Sequence, residues 1–156
     1  MYKEAIEIAV ALCKTFEGFR SKPYICPAGY ATQGYGTVYK PDGTRVTMED
    51  PKISIETADK WLRHTLLKTY LPGILKASPN IAKYPKALAA LVDFAYNLGV
   101  PNYRASTLRK RINAEDWDGA RVEIKRWNKG GGKILPGLVK RRKIESDLLP
   151  ISKSVY

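Results

Sequence analysis

Three side chains of different chemistry fall close together near the start of the chain: the carboxyl of Glu17, the thiol of Cys26 after eight intervening residues, and the hydroxyl of Thr32 after five more. A protonated carboxyl can give its proton to a leaving oxygen. A hydroxyl and a thiol can hold or deprotonate a water on the opposite face of the bond, and these are the parts that cleavage of a glycosidic bond requires. Glu17 is followed by Gly18-Phe19 and precedes a tyrosine-rich stretch, so desolvation there would favour its neutral form near neutral pH. Each residue also has an ordinary reading. Glutamates near helix ends are commonly solvated, and threonine is a common strand residue.

The elements that must position this trio follow from the apolar pattern. Ile6, Val10 and Cys13 recur at i, i+4 and i+7, with Lys3, Glu4, Glu7 and Lys14 mostly on other faces, which predicts an amphipathic helix stopping near Gly18. From 19 to 46 the composition turns to Tyr, Thr, Gly and Pro, with Pro41-Asp42-Gly43 as a turn. This predicts a small antiparallel sheet with tight hairpins, the only β region expected. Ser54 is placed to cap a helix carrying Ala58, Trp61, Leu62, Thr65, Leu66 and Tyr70, which Pro72-Gly73 should end or kink. The apolar run 87–98, closed by Gly99, reads as a buried central helix. Shorter helices are expected over 107–112, 116–127 and 138–149, with Lys129-Gly130-Gly131-Gly132-Lys133 separating the last two. The fold class is therefore α+β. One domain over 1–156 is expected, with a small β lobe at about 19–50 and a larger helical lobe at about 51–150 joined by the N-terminal helix. A cleft between the lobes is the natural ligand site.

The segments around the trio are Phe16-Glu17-Gly18-Phe19-Arg20, Pro23-Tyr24, Cys26-Pro27-Ala28-Gly29 and Thr32-Gln33-Gly34-Tyr35-Gly36-Thr37. Together they closely resemble the catalytic region of phage-type lysozymes, glycoside hydrolase family 24, in which a Glu is followed after eight residues by Asp or Cys and after five more by Thr. Residues 89–99 resemble that family's buried helix, and Arg126-Trp127 through Pro136-Gly137-Leu138 to Arg141-Arg142 resemble its C-terminal end. The resemblance covers about 9–149 and implies a lysozyme-like fold with the active-site cleft between its lobes. It also implies a muramidase that cuts peptidoglycan between N-acetylmuramic acid and N-acetylglucosamine with inversion, and with Glu17, Cys26 and Thr32 as catalytic residues. Asn97 is placed by the same resemblance on the cleft as a substrate contact. The chain departs from the pattern in having Thr37 where many members have His, and Cys26 where other members have Asp. The second departure bears on the base, because an unperturbed thiol is mostly protonated at neutral pH unless a neighbour such as Arg20 or Lys22 lowers its pKa.

Composition narrows the partners more than the fold. The 156 residues include 27 Lys and Arg against 15 Asp and Glu, a formal net charge of +12, so a polyanion is expected. Basic clusters at 104–111 and 125–143 fit electrostatic attraction to an anionic cell envelope; no helix-turn-helix, RNA-binding or zinc-finger signature accompanies them, which leaves a nucleic-acid-binding module as the weak alternative. A lytic transglycosylase is the nearer rival, and it would leave Cys26 and Thr32 without a role. Two cysteines are too few for a disulfide scaffold, and neither a metal-type cluster nor a cofactor motif accompanies them. Cys13 reads as a core residue, with a Cys13–Cys26 disulfide as the lesser alternative, and His64 as a surface residue. Trp61, Trp117 and Trp127 sit in helical patterns and read as core before sugar-stacking groups. Lys3, Glu4 and Glu7 interrupt the N-terminal apolar residues, so neither a signal peptide nor a membrane span is expected there. The corresponding expectation is a monomer made in the host cytoplasm, without stable membrane insertion, that reaches periplasmic peptidoglycan through a holin.

Overall fold

Helix α1 (Lys3–Glu17) buries Ala5, Ile6, Ala9, Val10 and Cys13 along one stripe in the computed structural model, which describes residues 1–151. The last five positions of the expected domain thus lie outside the described residues. At Gly18 the backbone turns to φ 70°, a conformation costly for any residue with a Cβ, and its amide bonds the Lys14 carbonyl at 3.1 Å. The turn ends the helix immediately after Glu17 and sends the chain into the sheet.

Strands β1 (Arg20–Ile25) and β2 (Ala31–Gly34) pair antiparallel, with Tyr24 opposite Thr32 and Ile25 opposite Ala31. The rest of the predicted sheet is thinner than its residues implied: beyond β2 only single bridges form, Gln33 with Thr37 and Tyr39 with Arg45. Gln33 compensates by donating from Nε2 to the carbonyls of Ser21 and Pro51, both at 2.8 Å, which ties hairpin and following loop together.

Ser54 caps α2 (Ile55–Thr65) by accepting from the Thr57 amide at 3.1 Å, as its position in the sequence predicts. Of the two outcomes expected at Pro72-Gly73, an end or a kink, the end does not occur. A π-helical turn (Leu66–Tyr70) leads directly into α3 (Leu71–Ala77) with Pro72 in its first turn. Proline has no amide for the carbonyl four residues back, and the wider turn ahead of it absorbs the mismatch without breaking the helix. A 3₁₀ turn (Pro79–Lys83) then leads to α4 (Pro85–Leu98), whose residues from Ala87 to Ala95 are all buried. This is the expected central helix; α1, α3 and α8 pack around it.

Helices α5 (Val100–Ala105), α6 (Thr107–Asn113), α7 (Trp117–Lys125) and α8 (Pro136–Asp147) complete the larger lobe. The glycine-rich spacer corrects the expectation of a single β region: β3 (Lys129–Gly130) and β4 (Lys133–Ile134) form a second small hairpin, turned by Gly131 and Gly132 at positive φ. The result is a small antiparallel lobe and a larger helical lobe, as in lysozymes. Trp117 is buried and Trp127 packs on the core, whereas Trp61 is only half-buried and stands apart from it. Among the described residues no helix is long and apolar enough to cross a membrane.

Candidate active site

Glu17 is the last residue of α1, and the Gly18 turn leaves its carboxyl facing the sheet and α8. Arg141 of α8 donates from Nη1 to Glu17 Oε2 at 2.8 Å, with the Glu17 side chain 22% exposed and the guanidinium only 4%. The expectation was desolvation by Gly18-Phe19 and a tyrosine-rich sheet; the buried cation was not foreseen. From the sheet side Gly36 closes on the same group. A Cβ built there would stand 2.9 Å from Glu17 Oε1 and 3.3 Å from the Tyr96 hydroxyl, and its φ is 82°. Gly36 therefore serves twice, as a backbone bend and as the space that Glu17 occupies.

Cys26 and Thr32 meet through the β1–β2 register. Cys26 directly follows β1, its amide bonding the Tyr30 carbonyl at 2.9 Å and its carbonyl accepting from Gly29 at 2.8 Å in a tight turn. Thr32, 3% exposed, donates to the Tyr30 carbonyl at 2.9 Å and is within hydrogen-bonding reach of the Cys26 sulfur, so its single proton serves one or the other. The small burial of Cys26 would raise its thiol pKa. Hydrogen bonds from Thr32 and from the backbone of Tyr30, Ala28 and Gly29 outweigh it and hold the pKa below the ordinary thiol value. Arg20, one of the two cations expected to act there, is differently engaged: its guanidinium stacks 4.3 Å from the Tyr24 ring centroid. Tyr24 feels the charges of both Glu17 and Cys26, after burial the causes of its raised pKa that place it beside both.

A cavity of about 490 Å³ opens between the lobes, bounded by Thr37, Tyr39 and the Gly36 that abuts Glu17 from the sheet side and by His64, Tyr70 and Tyr96 from the helices. Tyr70 and Tyr96 meet edge to face, 5.3 Å between centroids, and the Tyr96 hydroxyl donates to the Tyr35 carbonyl across the lobes. His64 is half-buried and lines this space, with Nε2 lacking a hydrogen-bond partner, which corrects its reading as a surface residue. Asn97 stands half-buried beside Tyr96 near the end of α4, where its Oδ1 accepts from Arg142 Nη2 at 2.9 Å. That bond fixes the amide so that its NH₂ group faces away from the guanidinium.

Beneath the site lies a buried ionic cluster that the sequence reading missed. Arg141 grips Asp93 of α4 with two hydrogen bonds, Nε to Oδ2 at 2.9 Å and Nη2 to Oδ1 at 2.8 Å. Cys13 donates to Asp93 Oδ1 at 3.3 Å; burial and the nearby Asp93 charge push this thiol well above its ordinary range, so it stays protonated. Both cysteines are free. Asp93 was the available signal, as the one acid in an otherwise apolar helical run.

The phage lysozyme family model matches residues 14–145, which include all three residues of the trio. The chain belongs to the phage lysozyme family. The endolysin of Bacillus phage B103 is 36% identical over 153 residues, covering 95% of this chain and 54% of the relative. The chain thus spans about half the length of that endolysin. The endolysin of Acyrthosiphon pisum secondary endosymbiont phage 1 is 31% identical over 147 residues, 91% of this chain and 94% of the relative. Among solved structures, the endolysin from Escherichia coli O157:H7 phage FAHEc1 superposes with a TM-score of 0.80 at 32% identity, over 91% of this chain and 90% of that one. In this phage lysozyme family member the β1–β2 hairpin, the end of α1 and the end of α4 therefore belong to a shared framework, and the sequence resemblance had identified the same family.

Proposed function

We propose that the chain is a muramidase that hydrolyses the β-1,4 bond between N-acetylmuramic acid and N-acetylglucosamine in bacterial peptidoglycan. The observation that carries this reading is the Glu17 carboxyl against Gly36, which lines an interlobe cavity, with Cys26 and Thr32 within hydrogen-bonding reach of each other in the adjoining hairpin. Glu17 is the general acid that protonates the leaving oxygen. Thr32 orients a water on the opposite face of the sugar, and Cys26, as thiolate, takes that water's proton; attack from the far face inverts the anomeric centre. Asn97 directs its amide NH₂ to a sugar substituent. The enzyme needs no cofactor.

The setting follows from the same chemistry. A monomer with a net charge of +12 is drawn to the anionic envelope, without binding nucleic acid and without inserting stably in a membrane. It is made in the host cytoplasm and reaches the periplasmic wall when a holin opens the inner membrane.

The test is lysis of outer-membrane-permeabilised Gram-negative cells by wild type and Glu17→Gln. The substitution keeps shape and removes the transferable proton, so activity falls by about 10² to 10⁴ while the unfolding midpoint stays in place. Activity within about tenfold of wild type would assign the proton to another group. Mass spectrometry of the digested wall separates the two reactions: reducing muramic ends mean hydrolysis, and products lighter by one water mean transglycosylation.

A further inference from the structure

The face of the β1–β2 hairpin that carries Cys26 and Thr32 continues into a cluster that takes no part in bond cleavage. Side chains alternate across a strand pair, and the register sets Tyr24 opposite Thr32, while the Cys26 amide bonds the Tyr30 carbonyl at 2.9 Å. Tyr30 therefore shares the face of Cys26 and Thr32. Beside it the segment 38–46 folds back about Pro41-Asp42-Gly43. The Lys40 amide bonds the Thr44 carbonyl and the Val46 amide the Val38 carbonyl, both at 2.8 Å, and the Asp42 carboxylate secures the turn by accepting from the Thr44 amide at 2.9 Å. This ribbon sets Tyr39 opposite Arg45. The Arg45 guanidinium stands 5.3 Å from the Tyr30 ring centroid and 5.7 Å from that of Tyr39, and all three residues are exposed. Tyr39 also walls the interlobe cavity.

We infer that Arg45, clasped by Tyr30 and Tyr39, is a specificity-determining residue that binds a carboxylate on the side branch of a muramic acid residue lying in the cleft. Among the described residues no carboxylate pairs with Arg45, whereas Arg63, Arg111, Arg121 and Arg126 each have one. A ring against the face of a guanidinium holds it in place and leaves its in-plane N–H donors free, and that planar fork matches a carboxylate with two parallel hydrogen bonds. The place matters as much as the charge. Tyr30 lies at the Cys26 turn and Tyr39 at the cavity wall, so the guanidinium between them borders the path of a glycan entering the cavity. Of the two sugars that alternate in peptidoglycan, muramic acid alone carries a lactyl branch, which ends in a carboxylate or in a peptide bearing one. A contact with that branch fixes which sugar rests on the β lobe, and so which of the two alternating β-1,4 bonds meets Glu17. The choice of ligand rests on the muramidase reading; the unpaired guanidinium does not.

The experiment titrates the wild-type protein with single sugars, which contain no bond to cleave, so that binding is read apart from catalysis. Nitrogen-15 NMR follows the Arg45 Nε–H signal, assigned by its loss in Arg45→Gln. The probes are N-acetylglucosamine, which is neutral, N-acetylmuramic acid with its lactyl carboxylate free, and an N-acetylmuramyl dipeptide, whose lactyl carboxyl is an amide and whose carboxylate lies on the peptide. An acidic probe moves the Arg45 signal and binds about threefold or more tighter than N-acetylglucosamine, the gain of a well-formed exposed ion pair. Arg45→Gln removes that gain, and the acidic probe that shows it tells the lactyl carboxylate from the peptide one. Lys110→Gln, on α6 of the helical lobe, takes away the same charge elsewhere and keeps the gain. Equal binding of all three probes, a gain that survives Arg45→Gln, or an equal loss in Lys110→Gln would overturn the inference. Lysis that is absent in the wild type, or that persists in Glu17→Gln, bears on the muramidase reading and its acid alone.

Discussion

At the scale of single residues, the part of the site that was legible in the sequence is the part built locally. Glu17, Cys26 and Thr32 are brought together by one helix end and one hairpin, so their spacing carries the information. Arg141 meets Glu17 from 124 positions away and grips Asp93 48 positions away, and no local spacing encodes such meetings. Two predictions belong here. The lowered thiol pKa of Cys26 means that its ionised form becomes available at lower pH than for a free cysteine. In the proposed mechanism Cys26 acts as a thiolate, so the rising limb of the pH–activity profile lies higher than for an enzyme whose base is a carboxylate. Cys26→Asp stays active with its optimum moved to lower pH, alkylation inactivates the wild type, and a Cys26→Ser profile that overlays the wild type would remove the thiolate from the mechanism. Gly36→Ala tests the close approach of sheet and acid. Its methyl group would enter the space of Glu17 Oε1 at a backbone angle that disfavours any side chain, so kcat should fall at least about tenfold, with a stability loss on the order of 1 kcal/mol in urea unfolding. Wild-type kcat in this variant would mean that Glu17 does not need its present place.

Among elements, legibility followed periodicity. The central helix α4, the start and stop of α1 and the Ser54 cap are all where the apolar spacing and capping residues put them. At Pro72 the sequence left an end and a kink open, because a proline's effect depends on whether the preceding turn can widen, which propensity alone does not reveal. The β3–β4 hairpin was missed because three glycines read as a spacer, whereas two of them supply the positive φ of a turn. Since α4 carries the helical lobe, truncating Leu91, which is fully buried on it, should cost about 2 to 5 kcal/mol of stability. Leu91→Ala is checked by its denaturant midpoint; a change under about 1 kcal/mol would mean that the surrounding helices collapse onto the gap.

For the whole molecule, composition leads to the expectation of a polyanionic partner, and the resemblance foretold the two-lobed fold; the division of the charge between surface and interior was not readable. Most of the excess cations lie on the surface, and their attraction to an envelope is screened by salt. Lysis of whole cells should peak at low ionic strength and halve by roughly 0.2 M salt, where the screening length drops below about 8 Å, while hydrolysis of a short soluble muropeptide changes far less. Equal salt dependence on both substrates would remove envelope steering from the account. Arg141 and Arg142 stand outside this tally, since their charges are buried among carboxyls. Their distance along the chain also sets a timetable. As a ribosome releases the polypeptide from its N-terminus, helix α1 and the hairpin can form early, but the guanidinium against Glu17 arrives only with the final helix. Until α8 has emerged and docked on α4, Glu17 lacks its partner and Asp93 is a buried charge without a counter-ion. The nascent chain therefore acquires its complete site only once α8 has been made, through one of its longest-range contacts, which is also the kind of closure that slows folding.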